Sequence, residues 1–419
     1  MPQNASVAPN GLPIHRIALP GTRTLTALVA FDAGARSERP EENGIAHFLE
    51  HLVFKGGETF DHYRKVNETA ERMGGVLNAF TSHSLVAFHI TVRAESADEA
   101  LDLLTDFSGR PLLDAEELDK ERGVVIQEIA RYNDQPSALA EMLLDKATFG
   151  DHPLGRSVLG PEEHLKTFTR DQVVGFRDRR WAGAKGGAFL VGALDHLPSD
   201  ERLAELFGRF PDVAEPGPVE DAPAPSVDRV IETRDTNQSH LRLAYRPDLD
   251  ANDPKVRAAL SIYGTLLGGS MGSRLFDEIR EQRGLAYSVS ASAWSLGDIT
   301  QLQLSAGLDS TKTLEAYARM REIVQELHDD GPTAEEVDRA RAYTAGRLVL
   351  AFENSGAVAR QAASQSIVHG ETFDADVTIA QMDAVTLDEV REVARAIDPA
   401  VASVACVGPH EAGDFDWDS

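Results

Sequence analysis

The sequence predicts an α+β fold made of two homologous domains, and three observations support this prediction. The chain has 419 residues, which exceeds the roughly 100–200 residues of one ordinary domain. Strand patterns and runs of helical periodicity lie in separate blocks, which is typical of α+β proteins rather than of a doubly wound sheet. Both halves follow one order, in which strands come first, helices follow and strands return. We therefore expect a duplicated α+β domain.

The boundary between the halves is expected in the stretch PDVAEPGPVEDAPAPSVD, residues 211–228. It is rich in proline and acidic residues and has no hydrophobic period, which is typical of an extended linker. This places an N-terminal domain at 1–210 and a C-terminal domain at 229–419. Each is expected to contain a mostly antiparallel sheet flanked by helices.

The first half contains two stretches with strand patterns. These are TLTALVAFDAG at 24–34 and VLNAFTSHSLVAFHITV at 76–92, of which the second predicts two strands or a hairpin. Helical periodicity is found in three places, which are the surroundings of His47, a segment from about Tyr63 to Met73, and a long run from about Ser96 to Thr148. Glycines end the second helix, and the long run is interrupted near Pro111.

The second half repeats this plan. Four stretches have strand patterns, namely RVIETRD at 229–235, SHLRLAYRP at 239–247, GLAYSVSASAW at 284–294 and ITQLQLSAGL at 299–308. The last two are expected to pair. Helices are predicted at 253–269, where the pattern ends in glycines, and from about Ala334 to Phe352.

Composition narrows the classes of function. With 41 Lys+Arg against 68 Asp+Glu, the formal charge of −27 disfavours nucleic acid or an anionic membrane as partner. The acidity indicates either a solvated surface or a cavity that attracts basic peptides. Neither a signal-peptide pattern nor an apolar run of about 18 residues is present. The single cysteine, Cys406, lies in an apolar strand-like run and cannot form an internal disulfide, so we expect a cytoplasmic protein.

The clearest chemical motif is GIAHFLEHLVFKGG, residues 44–57. On a helix, His47 and His51 lie on one face and can converge on one ion, while Glu50 points to nearly the same side. Catalytic zinc takes three protein ligands and leaves a position for water, which Glu50 would deprotonate. A helix with polar residues on its wet face is the alternative, and these five residues alone do not decide between the two.

The motif resembles the inverted zinc signature, His-x-x-Glu-His, of the pitrilysin-type metallopeptidases. The similarity is to the short, processing-peptidase-like bacterial branch. In that family a glutamate from a later helix completes the ligand set, and Glu128 in EELDKERGVVIQEIARYNDQP stands at the matching distance. The resemblance implies one Zn²⁺ per subunit, held by His47, His51 and Glu128.

The same resemblance implies roles for two further acidic residues. Glu50 would be the catalytic base that accepts a proton from zinc-bound water. Glu121 lies two helical turns before Glu128 and so shares its helical face. It would assist catalysis without binding zinc, by orienting the zinc ligands and tuning their basicity. A solvated helix residue is the alternative for Glu121.

Substrate contacts are also implied by the family. Asn78 and Ala79 match the Asn-Ala pair of the family's edge strand, to which an extended peptide adds through backbone hydrogen bonds. An ordinary asparagine in a hairpin is the alternative. Further along the hairpin, Val86 and Phe88 replace a threonine and a tyrosine that the family often has, so the expectation for finer contacts there is weaker.

In the second half, the segment LLGGSMGSRLFDEIREQRGLAYSVSA lacks the Gly-Lys-Ser/Thr of a phosphate loop. Residues alone favour a flexible loop that leads into a helix. By resemblance, Arg280 binds a substrate carbonyl, and Tyr287, seven residues later, helps to hold the peptide or its developing oxyanion.

Family members enclose their substrate in a clam-shell chamber of four homologous domains, and this chain accounts for two. The resemblance therefore implies a homodimer, in which each subunit lends Arg280 and Tyr287 to the zinc site of its partner. The expected function is a zinc metalloendopeptidase that cleaves unfolded peptides. Two alternatives stay open: a non-catalytic peptide-clamping or structural subunit on the same fold, and a zinc subunit that needs an unlike partner.

Overall fold

The computed structural model describes residues 3–213, 215, 221–297 and 299–416. Eleven strands lie in these ranges: β1 Gln3–Val7, β2 Pro13–Ala18, β3 Thr24–Phe31, β4 Val76–Thr81, β5 Val86–Arg93, β6 Gly186–Gly192, β7 Arg229–Thr233, β8 Gln238–Tyr245, β9 Ala286–Leu296, β10 Ile299–Asp309 and β11 Ser403–Gly408.

The described residues also form fourteen α-helices: α1 Ile45–Val53, α2 Tyr63–Arg72, α3 Ala97–Gly109, α4 Ala115–Asp134, α5 Pro136–Phe149, α6 Glu162–Thr167, α7 Arg170–Arg180, α8 Asp200–Phe207, α9 Pro254–Gly264, α10 Thr313–Asp330, α11 Ala334–Phe352, α12 Ser355–Val368, α13 Ala375–Ala384 and α14 Leu387–Ala396. Two π-helical segments, Thr265–Gly269 and Phe276–Gln282, follow α9. The strands and helices predicted from sequence patterns are all present, and α11 has the predicted bounds.

The chain divides into two compact units. Unit 1 consists of the described residues within Met1–Ile129, Ser157–Val219 and Leu350–Asp376, and unit 2 of those within Ala130–Arg156, Glu220–Val349 and Val377–Ser419. Each unit therefore takes one segment from the other half of the sequence. The predicted linker at 211–228 lies partly outside the described residues, and the predicted domain boundaries stay a prediction.

Unit 1 is built on a six-stranded mixed sheet with the strand order β1-β2-β6-β3-β5-β4. The pair β2 and β6 is parallel, and the other neighbours are antiparallel. The strand β3 is buried along nearly its whole length because its two faces are covered. On one face lies an apolar core that includes Phe48, Phe88 and Trp181, and α12 packs against β3 and β6.

Unit 2 contains a five-stranded mixed sheet with the order β7-β11-β8-β10-β9. Again one pair, β7 and β11, is parallel and the rest are antiparallel. Its core includes Tyr245, Tyr263 and Leu302, and α5 packs against β8 and β11. Cys406 is a buried residue of β11, as predicted.

The α+β class is thus confirmed, in the form of two mixed sheets flanked by helices. Among the helices that the structure describes, none is long and apolar enough to cross a membrane.

Candidate metal centre

The start of helix α1 is fixed by a buried carboxylate. Glu38 is 1 % exposed, and its Oε2 accepts hydrogen bonds from the Gly44 backbone N–H (2.9 Å) and from Asn43 Nδ2 (3.0 Å). Its Oε1 accepts from the Ala46 N–H at 2.8 Å. These bonds satisfy donors that the first turn of a helix leaves free, and the negative charge suits the helix N-terminus. Burial raises the pKa of Glu38 to about 7, against the lowering effect of these three hydrogen bonds.

Gly44 allows the chain to enter α1 at this angle. Its φ is +99°, in the left-handed region that favours glycine. A Cβ atom at this position would lie 2.8 Å from the backbone of Leu159 and Gly160. Both the conformation and the close approach therefore require glycine directly before the helix.

The two faces of α1 differ in chemistry. Ile45, Phe48, Leu49, Leu52 and Val53 are buried in the core of unit 1. Their spacing leaves one side of the helix for His47, Glu50 and His51. His47 is 8 % exposed, and Glu50 and His51 are half-buried. The helix thus holds the three polar side chains against a rigid apolar support.

Helix α4 brings Glu128 to these histidines. Glu128 Oε2 lies 3.3 Å from His51 Nε2 and 3.8 Å from His47 Nε2. The histidine rings are edge to face, with centroids 4.7 Å apart. One potential ligand atom from each of the three residues lies within 4.8 Å of the other two. In the part of the chain that the structure describes, this is the group of histidine, cysteine and acidic side chains that could hold a metal ion.

The donor set fits zinc. Tetrahedral coordination with bonds of about 2.0–2.1 Å puts neighbouring donor atoms about 3.3–3.5 Å apart, close to the separations between Glu128 and the two histidines. Two imidazole nitrogens and one carboxylate oxygen are a common ligand set of catalytic zinc, which keeps a fourth position open. Burial and the neighbouring His51 lower the pKa of His47 to about 3, so that its imidazole is neutral and able to bind a cation.

Glu121 contacts the other nitrogen of His51. The two residues share a hydrogen bond of 2.9 Å between His51 Nδ1 and Glu121 Oε1. An ionised carboxylate only accepts, so Nδ1 carries the proton and Nε2 is directed to the metal position. The buried Glu121 side chain also forms an ion pair with Lys55. Burial alone would raise the pKa of Glu121, but the bonds from His51 and Lys55 lower it.

The acidic side chains around His51 raise the pKa of its imidazole. Burial alone would lower the pKa of His51, but the hydrogen bond to Glu121 and the charges of Glu121, Glu50 and Glu128 raise it. A proton and a metal ion therefore compete for the imidazole of His51.

Glu50 lies beside the three candidate ligands and contacts the sheet. Thr81 Oγ1, at the end of β4, donates a hydrogen bond of 2.6 Å to Glu50 Oε2. Burial raises the pKa of Glu50, the hydrogen bond from Thr81 and the charge of His51 lower it, and Glu128 raises it further, for a net increase. A raised pKa brings a carboxylate closer to the range in which it exchanges protons near neutral pH.

The predicted peptide-binding pair lies on an edge strand. β4 is the last strand in the sheet of unit 1 and pairs with β5 alone among the described strands. Asn78 is exposed, and its Oδ1 accepts a hydrogen bond from the Ala79 N–H at 2.8 Å. Ala79 and Leu77 pack on the core that contains α1. Asn78 therefore belongs to the opposite face, because side chains alternate along a strand.

Arg280 and Tyr287 belong to unit 2. Arg280 lies in the second π-helical segment, with its guanidinium 4.8 Å from the centroid of the Phe276 ring and 3.5 Å from Glu281. Tyr287 is the second residue of the edge strand β9, and 83 % of it is exposed. Among the described strands, β9 is the last in its sheet, so Tyr287 is exposed at the sheet edge.

Three residues of the centre were not predicted. Lys55 lies four positions after His51, and Thr81 three positions after Asn78, so the motif spacing offered a weak signal for both. Glu38 gave none, because its partners lie across a turn and a capping carboxylate normally directly precedes its helix.

Comparisons with known proteins agree with this geometry. A family model described as "Insulinase (Peptidase family M16)" matches residues 16–162, and one described as "Peptidase M16 inactive domain" matches residues 167–343. The chain is 31 % identical over 401 residues to the uncharacterized zinc protease YmxG of Bacillus subtilis, with 96 % of this chain and 97 % of that protein covered. An uncharacterized zinc protease of Mycobacterium tuberculosis is 32 % identical over 409 residues, or 96 % of this chain and 92 % of that protein.

Solved structures show the same fold at low sequence identity. A crystal structure described as a peptidase M16 inactive domain from Pseudomonas fluorescens has a TM-score of 0.89 at 19 % identity and covers 98 % of this chain and 99 % of that chain. A protease from Helicobacter pylori has a TM-score of 0.88 at 20 % identity, with coverage of 97 % and 99 %. A chain of Complex III2 from Candida albicans has a TM-score of 0.80 at 16 % identity, with coverage of 98 % and 98 %.

Proposed function

Because the chain belongs to the M16 (insulinase) family of peptidases, we propose that it is a zinc-dependent endopeptidase that cleaves unfolded peptides. The observation that carries this proposal is the convergence of His47, His51 and Glu128 on one position, with the carboxylate of Glu50 beside it. The relatives from Bacillus subtilis and Mycobacterium tuberculosis are named zinc proteases, which supports zinc as the metal.

The roles of the side chains follow from their contacts. His47, His51 and Glu128 would hold the metal, and Glu121 fixes the ring of His51 through Nδ1. When bound, a zinc ion lowers the pKa of a water molecule and polarises the substrate carbonyl. Glu50 accepts the proton of the attacking water and later delivers it to the leaving nitrogen, as a general base and then a general acid.

Peptide binding is assigned to the edge of β4. An extended peptide adds to a free strand edge through main-chain hydrogen bonds, which provide affinity without strong sequence demands. Such a mode suits unfolded peptides, because a folded protein has few free extended segments. Asn78 and Ala79 mark the part of β4 where the peptide would pair.

The substrate contacts of Arg280 and Tyr287 are assigned to a homodimer. Each subunit supplies both residues to the zinc site of its partner, so that two subunits complete the chamber. A mixture of two inactive variants, Glu50→Gln and Arg280→Ala, tests this assignment. After subunit exchange, about a quarter of the sites would combine an intact zinc side with an intact arginine side, and cleavage would return. Failure of such mixtures to recover activity, although hybrid dimers form, would contradict the trans arrangement.

The central test of the function compares the parent protein with Glu50→Gln. Zinc-loaded parent protein is expected to cleave unstructured peptides, to lose activity in chelator and to regain it on zinc addition. Glu50→Gln should keep its zinc and lose at least about 100-fold in kcat, because a general base contributes roughly 10²–10⁴-fold. Undiminished cleavage by Glu50→Gln would refute the mechanism.

The same assay separates the two other functions. A peptide-clamping or structural subunit would bind peptides and never cleave them with zinc loaded. A zinc subunit with an unlike partner would cleave only after addition of that partner. The presence of both the metal-site residues and Arg280 with Tyr287 in one chain favours the homodimeric enzyme over both.

A further inference from the structure

The contact between Thr81 and Glu50 joins the edge strand to the metal helix. Thr81 is the last residue of β4 and Glu50 lies in α1, 31 positions earlier in the sequence. The 2.6 Å separation between Thr81 Oγ1 and Glu50 Oε2 falls in the range of a charge-assisted bond from a hydroxyl to a carboxylate, which is about twice as strong as a neutral one. One oxygen of the carboxylate is thereby held by the strand.

Thr81 itself is held firmly by the hairpin. It pairs with Val86 at the closed end of β4 and β5. The turn that follows is closed by the Ser82 N–H, which donates to the Leu85 carbonyl at 2.8 Å. Ser82 Oγ accepts from the backbone N–H groups of Ser84 and Leu85. A hydroxyl at such a position has a defined direction, since threonine has few χ1 rotamers on a strand.

A second segment holds this turn from outside. The backbone N–H groups of Gly34, Ala35 and Arg36 donate to the carbonyls of Ser84, Ser82 and His83, at 3.2, 3.0 and 2.8 Å. Gly34 approaches so closely that a Cβ atom there would lie 2.4 Å from the Ser82 carbonyl oxygen. The end of β4 is therefore fixed by two sets of backbone hydrogen bonds.

We propose that Thr81 is the positioning residue of the base, and that its hydroxyl holds the Glu50 carboxylate in the orientation that receives the proton of water. This inference rests on the proposed function, because it assigns a role within the same site. It also links substrate to catalyst, since β4 carries both the edge at which a peptide pairs and the hydroxyl that holds Glu50.

If Thr81 had only a structural role, its hydroxyl group would not be needed. A half-buried strand residue is served as well by valine as by threonine, because both are β-branched and favour strands. Thr81→Val keeps the shape of the side chain and removes the hydroxyl. Thr81→Ser keeps the hydroxyl and removes the methyl group. The pair therefore separates the hydrogen bond from the packing.

The kinetic experiment uses zinc-loaded, full-length protein and an unstructured peptide. Thr81→Val is expected to lower kcat by about tenfold, which corresponds to one lost hydrogen bond in the transition state, with KM and zinc affinity unchanged. Thr81→Ser should recover most of kcat. Thr24→Val is the matched control, because Thr24 lies on β3 at the end paired with Arg93, whereas the Phe31 end pairs with Val86. It should leave all three quantities at the parent value.

Denaturant unfolding tests the contact between Thr81 and Glu50 without depending on enzymatic activity. In metal-free protein, Thr81→Val, Glu50→Ala and the double variant are unfolded with denaturant. The losses of unfolding free energy in the two single variants should add to more than the loss in the double variant, because each single variant removes the same hydrogen bond. Glu50→Ala and Thr24→Val should combine additively.

The proposal would be overturned by parent-like kcat in Thr81→Val, by loss of zinc from that variant, or by additive effects of Thr81→Val and Glu50→Ala on the free energy of unfolding. Each is distinct from a failure of the proposed function, which would appear as cleavage by Glu50→Gln. Thr81→Ser with kcat as low as that of Thr81→Val would likewise remove the hydroxyl from the explanation.

Discussion

The two units share one strand plan and differ in the chemistry that they carry. The order β2-β6-β3-β5-β4 in unit 1 corresponds to β7-β11-β8-β10-β9 in unit 2, with the parallel pair at the same place. In both, the segment between the second and third of these strands along the chain is helical. The metal-site histidines lie in that segment in unit 1, and Arg280 lies in it in unit 2. The same position in the two strand plans thus carries two different sets of candidate site residues.

The histidines explain why only one copy can hold a metal in this way. Between β3 and β4, α1 presents His47, Glu50 and His51. Between β8 and β9 there is no histidine or cysteine, and α9 is followed by the two π-helical segments. π-helical turns are rare and are frequently found at functional sites. The segment in unit 2 therefore provides an exposed arginine without a ligand set.

The second helix after each strand pair, α4 after β4 and β5 and α11 after β9 and β10, also differs in chemistry between the units. In α4 of unit 1, Glu121 and Glu128 contact the histidines. In α11 of unit 2, Glu336 forms a two-point ion pair with Arg274, with N–O distances of 2.6 and 3.0 Å. Burial would raise the pKa of Glu336, but the bonds from Arg274 and Thr333 lower it to about 2. The acids of α4 belong to the candidate metal centre, whereas Glu336 of α11 forms an ion pair with Arg274.

The largest expected effect separates these two uses. Loss of a residue that is hydrogen-bonded to a metal ligand lowers metal affinity roughly 10–100-fold. Glu128→Ala should lower zinc affinity by more than this, because it removes a ligand itself. Glu336→Ala should leave zinc affinity unchanged and lower the free energy of unfolding instead. Zinc dissociation constants from competition with a chelator measure the first effect, and denaturant unfolding of the metal-free protein measures the second.

Arg280→Ala is the control for that comparison. It should keep the parent zinc affinity and lose cleavage, because the contact proposed for Arg280 is with the substrate. Equal zinc affinity of Glu128→Ala and the parent would contradict the assignment of the third ligand and remove the distinction between the units.

Local patterns made the fold predictable, and packing across the sequence limited the rest. The helical face of His47 and His51 follows from a spacing of four, and Glu128 follows from a family spacing. Lys55 and Thr81 join the site through contacts with Glu121 and Glu50 that depend on how α1, α4 and β4 pack. Periodicity predicted a helix at α5 without indicating which sheet it covers, and α12 was not predicted. The exchange of segments between units was therefore not predictable from either half alone.

The second prediction concerns the start of the helix in each unit. Glu38 caps α1 from a buried position, whereas Asp253 caps α9 from a partly exposed one, accepting from the Lys255 N–H at 2.8 Å. Glu38→Ala leaves the buried N–H groups of Gly44 and Ala46 without this acceptor and removes one of the two bonds of Asn43 Nδ2. It should lower the free energy of unfolding by about 3 kcal/mol. Asp253→Ala should cost about 1 kcal/mol, as for an ordinary helix cap.

Denaturant unfolding of both variants, with zinc removed by chelator, checks this difference. Glu38→Ala should also weaken zinc binding, because His47 is in the first turn of α1, and Asp253→Ala should not. Equal losses of stability in the two variants would show that burial of the cap does not distinguish the units.

The last difference between the units is a pH dependence that arises in unit 2. Burial, reinforced by the charge of Glu141, raises the pKa of Asp145 in α5 to about 8 from an ordinary value of 3.8. The folded protein therefore binds a proton here that the unfolded chain releases, and stability falls as pH rises between these two values. Asp145→Asn removes this titration, so the stability of the variant relative to the parent should increase steadily as pH rises from about 5 to 8.

Asp151→Asn provides a control of opposite sign in the same unit. Asp151 is exposed, and its hydrogen bond from Lys146, 2.6 Å long, lowers its pKa. A lowered pKa stabilises the folded state above the ordinary value, and that contribution is lost only as pH falls below it. The difference between Asp151→Asn and the parent should therefore be constant above about pH 5, whereas that of Asp145→Asn grows with pH. Parallel pH profiles for Asp145→Asn and the parent would mean that Asp145 is charged in the folded protein, and that α5 covers the sheet of unit 2 without a buried neutral acid.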